Sequence, residues 1–199
     1  MNKSLIMTIE RNLIEEINSF EIPVGSKQRT IGDLLSFRVQ EILKDLNSKE
    51  IKELVLPKSK KSMENFTLVE LDETLNYFNI VTYDSNAKFS MPNLTSINRI
   101  RDIFMSKNEN LFYIFITYEI YNQVIRVQEI VIKSIWDLDF NNLRIGSLGK
   151  GQLQIKNMHK NNAFIQENRI SWFKELTNLV KRYHETRIKQ IHKDSLLWA

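Results

Sequence analysis

The run from Leu111 to Ile120, LFYIFITYEI, is almost unbroken in apolar and aromatic residues. A strand with one wet face alternates apolar and polar side chains, so a run of this kind belongs inside a sheet covered on both faces. That cover has to come from helices. Ile6, Ile9, Leu13, Ile14 and Ile17 recur at helical spacing between Leu5 and Phe20. Ile31, Leu34, Leu35, Val39, Ile42 and Leu43 do the same from Thr30 or Gly32 to about Leu46, and Pro23 and Gly25 end the first of the two helices.

The rest of the pattern completes a mixed sheet. Phe66 to Val69 and Tyr77 to Thr82 are rich in aromatic and β-branched residues and flank the acidic stretch Glu70-Leu71-Asp72-Glu73, which together predict a hairpin with a solvated turn. Thr95 or Ser96 supplies the N-cap of a helix through Ile100, Ile103 and Phe104 to about Met105. The strand Leu111 to Ile120 turns at Tyr121-Asn122-Gln123 into a second long strand, Val124 to Ile135. Leu143 to Ile155 reads as a glycine turn leading into an edge strand. Ile170, Trp172, Phe173, Leu176, Leu179, Val180, Tyr183 and Ile188 mark a long C-terminal amphipathic helix, expected to pack across the sheet. This order predicts an α/β (α+β) fold, a mixed central β-sheet flanked by α-helices, in a single domain spanning residues 1–199.

Composition narrows the chemistry. There is no cysteine, so disulfides, thiolate metal sites and cysteine nucleophiles are excluded. No apolar run approaches the ~18 residues of a spanning helix, and MNKSLIMTIERN lacks the apolar core of a signal peptide, so a soluble cytoplasmic protein without a membrane partner is expected. The net charge of +4 permits a nucleic-acid partner. Lys174, Lys181, Arg182, Arg187, Lys189 and Lys193 make the C-terminal helix basic, which is read as a solvated face. Gly146-Ser147-Leu148-Gly149-Lys150-Gly151 has the glycines of a phosphate cradle but not the spacing of a phosphate loop, because its glycines are too close and Lys150 is followed by Gly151 rather than Ser or Thr. His184 and His192 lie two helical turns apart and cannot share a metal ion.

The stretch Lys60 to Arg99, KKSMENFTLVELDETLNYFNIVTYDSNAKFSMPNLTSINR, carries the most specific signal. Its Met-Glu-x-Phe-Thr-Leu, the strand that follows, and Thr82-x6-Phe-x-Met-Pro-Asn-Leu-Thr-Ser resemble the HincII-like type II restriction endonucleases with the PD-(D/E)XK nuclease core. The resemblance covers Lys60 to about Ile100 and again Leu143 to Ile155. It implies a restriction-endonuclease-like core and double-stranded DNA as partner. It places the family's first Asp on Asn65, its second on Asn79 and its Lys on Val81, so all three are substituted. A supporting helix of that family can add a carboxylate, for which Asp33 and Glu41 are the candidates, and Asp84 with Lys88 follows the second strand closely enough to substitute.

Cleavage in that family needs carboxylates to hold Mg²⁺ and a lysine to stabilise charge on the phosphate. Two asparagines and a valine supply no charge, and each lost electrostatic group costs about 10²–10³ in rate. The resemblance therefore implies no metal cofactor, with Mg²⁺ only if the chain is an active nuclease. It implies a catalytically silent subunit or relative of a type II restriction endonuclease, pairing as a homodimer or with an active nuclease subunit. Lys88, Asn93, Lys150, Gln152 and Gln154 are the candidate DNA-binding residues, Pro92 stiffening the loop that carries Asn93, and Lys58 to Lys61 form a further basic turn. Amide side chains donate and accept at once, which suits adenine in the major groove. Two other readings stay open: an active Mg²⁺-dependent site-specific deoxyribonuclease with a rearranged or deliberately altered site, and a structural or regulatory protein-interaction module on the same fold.

Overall fold

The computed structural model of the protein describes residues 1, 3–17, 19–21, 28–46, 48–57, 64–87, 91–122, 124–146, 151–158 and 168–195. In chain order the elements are α1 (Lys3–Glu16), β1 (Ser19–Glu21), α2 (Gln28–Lys44), β2 (Ile51–Val55), β3 (Phe66–Glu70), β4 (Leu75–Asp84), β5 (Asn93–Ser96), α3 (Ile97–Met105), β6 (Glu109–Tyr121), β7 (Val124–Ser134), β8 (Leu143–Gly146), β9 (Gln152–Ile155) and α4 (Arg169–Ser195). They fall into two compact units, Met1–Ser90 with Met105–Ile135, and Met91–Phe104 with Trp136–Ala199.

The first unit is built on a six-stranded sheet in the order β1-β7-β6-β4-β3-β2. β2, β3 and β4 form an antiparallel meander, β4 runs parallel to β6, and β6 returns antiparallel as β7. The parallel pair needs a crossover, and the segment holding β5 and α3 supplies it. β6 is the central strand its composition predicts, with every residue from Leu111 to Tyr118 buried. One face of the sheet presents Phe66, Leu68, Phe78, Phe112, Ile114, Ile116, Ile130 and Ile132 to Leu5, Ile9 and Leu13 of α1 and to Ile31, Leu35, Val39 and Leu43 of α2. Burying the ridges of two helices against one sheet face is the main favourable term in the unit. Gly32 admits α2 close to the sheet, since a Cβ there would lie 3.0 Å from Thr82 Oγ1. Glu10 accepts a 2.6 Å hydrogen bond from the Ile132 backbone N–H, occupying a donor that β7 would otherwise leave open.

The predicted hairpin forms as β3 and β4. Its turn is closed by Glu73 N–H donating to Glu70 O at 3.0 Å and Thr74 N–H donating to Asp72 Oδ1 at 3.0 Å, and Glu73 takes the left-handed φ of 65°. Thr74's hydrogen bonds hold the Asp72 carboxyl below its ordinary value, and the ion pair with Glu73 raises the Lys52 ammonium. Both groups lie at the surface, Asp72 in the turn and Lys52 on neighbouring β2.

The second unit carries a three-stranded antiparallel sheet in the order β5-β9-β8. What the sequence reads as a turn before one edge strand is thus a pair of strands, and part of the Pro-Asn loop is a third. Trp136, Phe140, Trp172, Phe104 and Phe173 form an aromatic cluster, with the Phe104 and Phe173 rings stacked at 3.9 Å. Arg169 donates to the carbonyls of Ile103 and Phe104, capping the C-terminus of α3, while its guanidinium lies 4.9 Å from the Trp136 ring. Burial pushes that guanidinium below its ordinary pKa. α4 differs from expectation. It packs on β8 with Trp172 and Leu176 buried, and every residue from His184 to Ser195, including Ile188, is exposed. The second half carries Arg187, Lys189 and Lys193, and the apolar stripe that packs runs from Trp172 to Tyr183.

Candidate functional site

Two constellations hold the residues singled out from the sequence, one in each unit. In the first, Asn65 immediately precedes β3. The ladder ends at the pair Phe66 and Phe78, and Asn65 sits beside Asn79 because it bonds to the backbone of both its neighbours, Phe78 and Ile80. Asn79 and Val81 lie two residues apart on β4 and so share a face, on which the register adds Tyr113 and Phe115 of β6. The structure therefore brings Asn65, Asn79 and Val81 together, at the start of β3 and the middle of β4.

Their chemistry is not alike. Asn65 is built into the hairpin: its N–H donates to Phe78 O at 2.8 Å, its Oδ1 accepts from Ile80 N–H at 2.7 Å, and its carbonyl accepts from Gln40 Nε2 of α2 at 3.1 Å. Asn79 and Val81 are each 8% exposed, and Asn79 Nδ2 has no hydrogen-bond partner among the described residues. An unpaired buried amide costs roughly 1–3 kcal/mol, so stability alone does not account for an asparagine at 79. A divalent cation does not fit this set. The Asn65 oxygen is already bonded to Ile80 N–H, Asn79 is neutral, Val81 offers no donor atom, and no group of three or more His, Asp or Glu is placed to hold a metal among the described residues. Asp33 is exposed on α2, Glu41 pairs with Lys44 at 2.6 Å, and Asp84 accepts from Asn86 N–H at 2.9 Å in a turn. Lys88 lies outside the described residues.

The structural role of Asn65 has a measurable consequence. Asn65→Ala removes the acceptor of the Ile80 N–H and is expected to cost about 1–3 kcal/mol, whereas Asn65→Asp keeps an acceptor and should cost less at neutral pH. Urea denaturation of the two variants gives the comparison, and equal losses would show that the side-chain bond is not what holds this end of the hairpin.

In the second unit the register sets Asn93 of β5 opposite Gln154 of β9, and Gln154 opposite Arg144 of β8. Gln152 lies two residues along, opposite Ser96 and Gly146. Strand alternation puts Leu143, Ile145, Leu153 and Ile155 on the apolar face and Arg144, Gly146, Gln152 and Gln154 on the polar one. Gln154 is 6% exposed, while Asn93 and Arg144 at the two ends of its row are exposed. Arg144 Nε donates to Gln154 Oε1 at 3.0 Å, and Gln154 Nε2 donates to Asn93 Oδ1. Gly146 makes the row possible, because a Cβ there would lie 2.5 Å from Gln154 Cδ. Ser96 caps α3, its Oγ accepting from Arg99 N–H at 3.2 Å, and Ile97 N–H donates to Gly151 O at 3.1 Å, so two of the first amides of α3 are satisfied internally. Lys150 lies outside the described residues, as do Lys58 to Lys61. Arg144 was not among the residues the sequence singled out; period-two alternation on both sides of the glycine turn is the signal that could have found it.

Comparison with solved structures bears on the fold. NlaIV restriction endonuclease superposes with a TM-score of 0.53 over 90% of this chain and 89% of that one, at 11% sequence identity. The fold is restriction-endonuclease-like. No protein-family model and no curated protein sequence matches the chain. The Asn65, Asn79 and Val81 group lies on the β3-β4 part of the six-stranded sheet, beside parallel β6. No helix of the described residues is long and apolar enough to cross a membrane.

Proposed function

We propose that this chain binds double-stranded DNA as a catalytically silent relative or subunit of a HincII-like type II restriction endonuclease. The observation that carries the reading is the group formed by Asn65, Asn79 and Val81. They adjoin one another at the start of β3 and on β4 of a restriction-endonuclease-like fold, at the positions the resemblance gives to Asp, Asp and Lys, and none carries charge. Cleavage without a preorganised charge has little to draw on, while DNA binding relies on other residues. Asn93, Gln152 and Arg144 on the polar face of the second unit's sheet are the described residues best suited to it, with Lys88 and Lys150 as candidates by sequence. The chain acts as a pair, either of identical copies or with an active nuclease subunit.

The test is selection from a random duplex pool followed by fluorescence-anisotropy titration, beside a plasmid assay with Mg²⁺ or Mn²⁺. A selected duplex should bind about 10³-fold or more tightly than an unrelated one, with affinity falling steeply in salt, and the plasmid should stay intact. Cleavage that requires the metal overturns the silent reading. Failure to enrich any sequence, with affinity no better than that of an unrelated protein of equal charge, overturns DNA recognition.

A further inference from the structure

Arginine can only donate hydrogen bonds, and that fact orients a whole row of side chains. Because Arg144 Nε–H donates to Gln154, the atom it meets must be the amide oxygen. The Gln154 amine then points the other way, and since it too can only donate, the atom of Asn93 that receives it must be Oδ1. The order Arg144 to Gln154 to Asn93 is therefore fixed in direction. At the two exposed ends, the terminal Nη1 and Nη2 fork of Arg144 and the Nδ2 of Asn93, all of them donors, have no hydrogen-bond partner among the described residues. Arg144 has no acidic partner among the described residues.

A fork of two donors has one good match among base edges. Guanine presents O6 and N7 side by side as acceptors, adenine sets a donor beside its N7, thymine offers a single oxygen and cytosine a donor. We infer, resting on the DNA-binding reading above, that Arg144 reads a guanine in the major groove through its terminal nitrogens, that Asn93 Nδ2 donates to an adjacent acceptor, and that buried Gln154 is the positioning residue that aims both. The adenine preference suggested by amides alone gives way, because the Asn93 oxygen is already bonded to Gln154. Gly146 belongs to the same device, since only a residue without a Cβ leaves the Gln154 amide its place.

A phosphate is also an acceptor, so the experiment must separate base from backbone. The duplex selected by the wild-type chain is titrated by fluorescence anisotropy, alongside versions carrying 7-deazaguanine at each guanine in turn and an unrelated duplex, with wild type, Arg144→Gln and Gln154→Met. For wild type, 7-deazaguanine at one position should weaken binding by about 10–100-fold. Arg144→Gln should weaken binding to the selected duplex by a similar factor, show no further loss at that position, and leave the unrelated duplex within about threefold. Gln154→Met, with Arg144 intact, should lose part of the discrimination at that guanine alone, which a general loss of structure would not do. If Arg144→Gln weakens every duplex equally and reduces the salt slope by about one counterion, the contact is to phosphate and the inference is overturned while DNA binding stands. Absence of guanine from the selected site overturns it in the same way. If no duplex is enriched, both it and the DNA-binding reading fall.

Discussion

Phe78→Ala should cost about 3–5 kcal/mol of folding stability, a large share of the 5–15 kcal/mol typical of a natural domain. Phe78 is fully buried, and its ring stacks 4.7 Å from Phe66 at an interplanar angle of 10° and 5.3 Å from Phe112 at 21°. These three are register partners on β3, β4 and β6, so the stack crosses the middle of the six-stranded sheet and ties the antiparallel meander to the parallel pair. Truncation leaves a cavity lined by rings that are fixed by their own strands and cannot close over it. Phe37→Ala is the control: Phe37 is 60% exposed on α2, and its loss should lie within about 0.5 kcal/mol of wild type. Urea midpoints at unchanged slope measure both. A Phe78→Ala midpoint equal to that of Phe37→Ala would mean that the core does not depend on this stack.

The parts of the fold legible in the sequence are those whose pattern is set by burial alone. LFYIFITYEI could be placed at the sheet centre because no other environment suits a strand without a polar face, and α1 and α2 followed from apolar residues at helical spacing. β2 was not legible, since Ile-Lys-Glu-Leu-Val at an edge buries little and its composition is that of a helix or loop as much as a strand. β5 is a strand only because β9 pairs with it, so Asn93 to Ser96 read as a polar loop. The candidate site divides in the same way. Asn65 and Asn79 could be paired from hairpin logic. That Asn65 spends its oxygen on Ile80, that Gln154 is buried, and that Arg144 lies across from it depend on side-chain direction and on strand register, neither of which a linear motif contains. The resemblance pointed to the amides of the Gln-Leu-Gln-Ile strand; the arginine ten positions earlier enters only through the pairing of β8 with β9.

Placing a carboxylate at position 79 should show whether this group of residues can be made to hold a metal. Asn79→Asp is expected to destabilise the protein by about 3 kcal/mol at neutral pH, because it places a charge at a position 8% exposed, beside Val81 and, across β6, Tyr113, with no cation adjoining on the strand. The register puts Lys133 on the same face, but two strands away, roughly 10 Å by ordinary strand spacing. Burial raises the folded-state pKa of such an aspartate above the ~3.9 of the unfolded chain. The sign follows from linkage. Below the unfolded value both states are protonated and the charge penalty vanishes; as pH rises the unfolded state releases its proton first, and the penalty grows until the folded-state carboxyl has also ionised. Wild type and variant should therefore converge toward acid pH and diverge toward neutrality in parallel urea titrations. Mn²⁺ should leave the variant's midpoint unchanged, since one carboxylate among neutral neighbours does not repay the dehydration of a dication. A penalty that is flat with pH would contradict the buried placement of the side chain. A midpoint that rises with Mn²⁺ would mean that a single charge at position 79 is enough to make a usable metal position beside Asn65 and Val81.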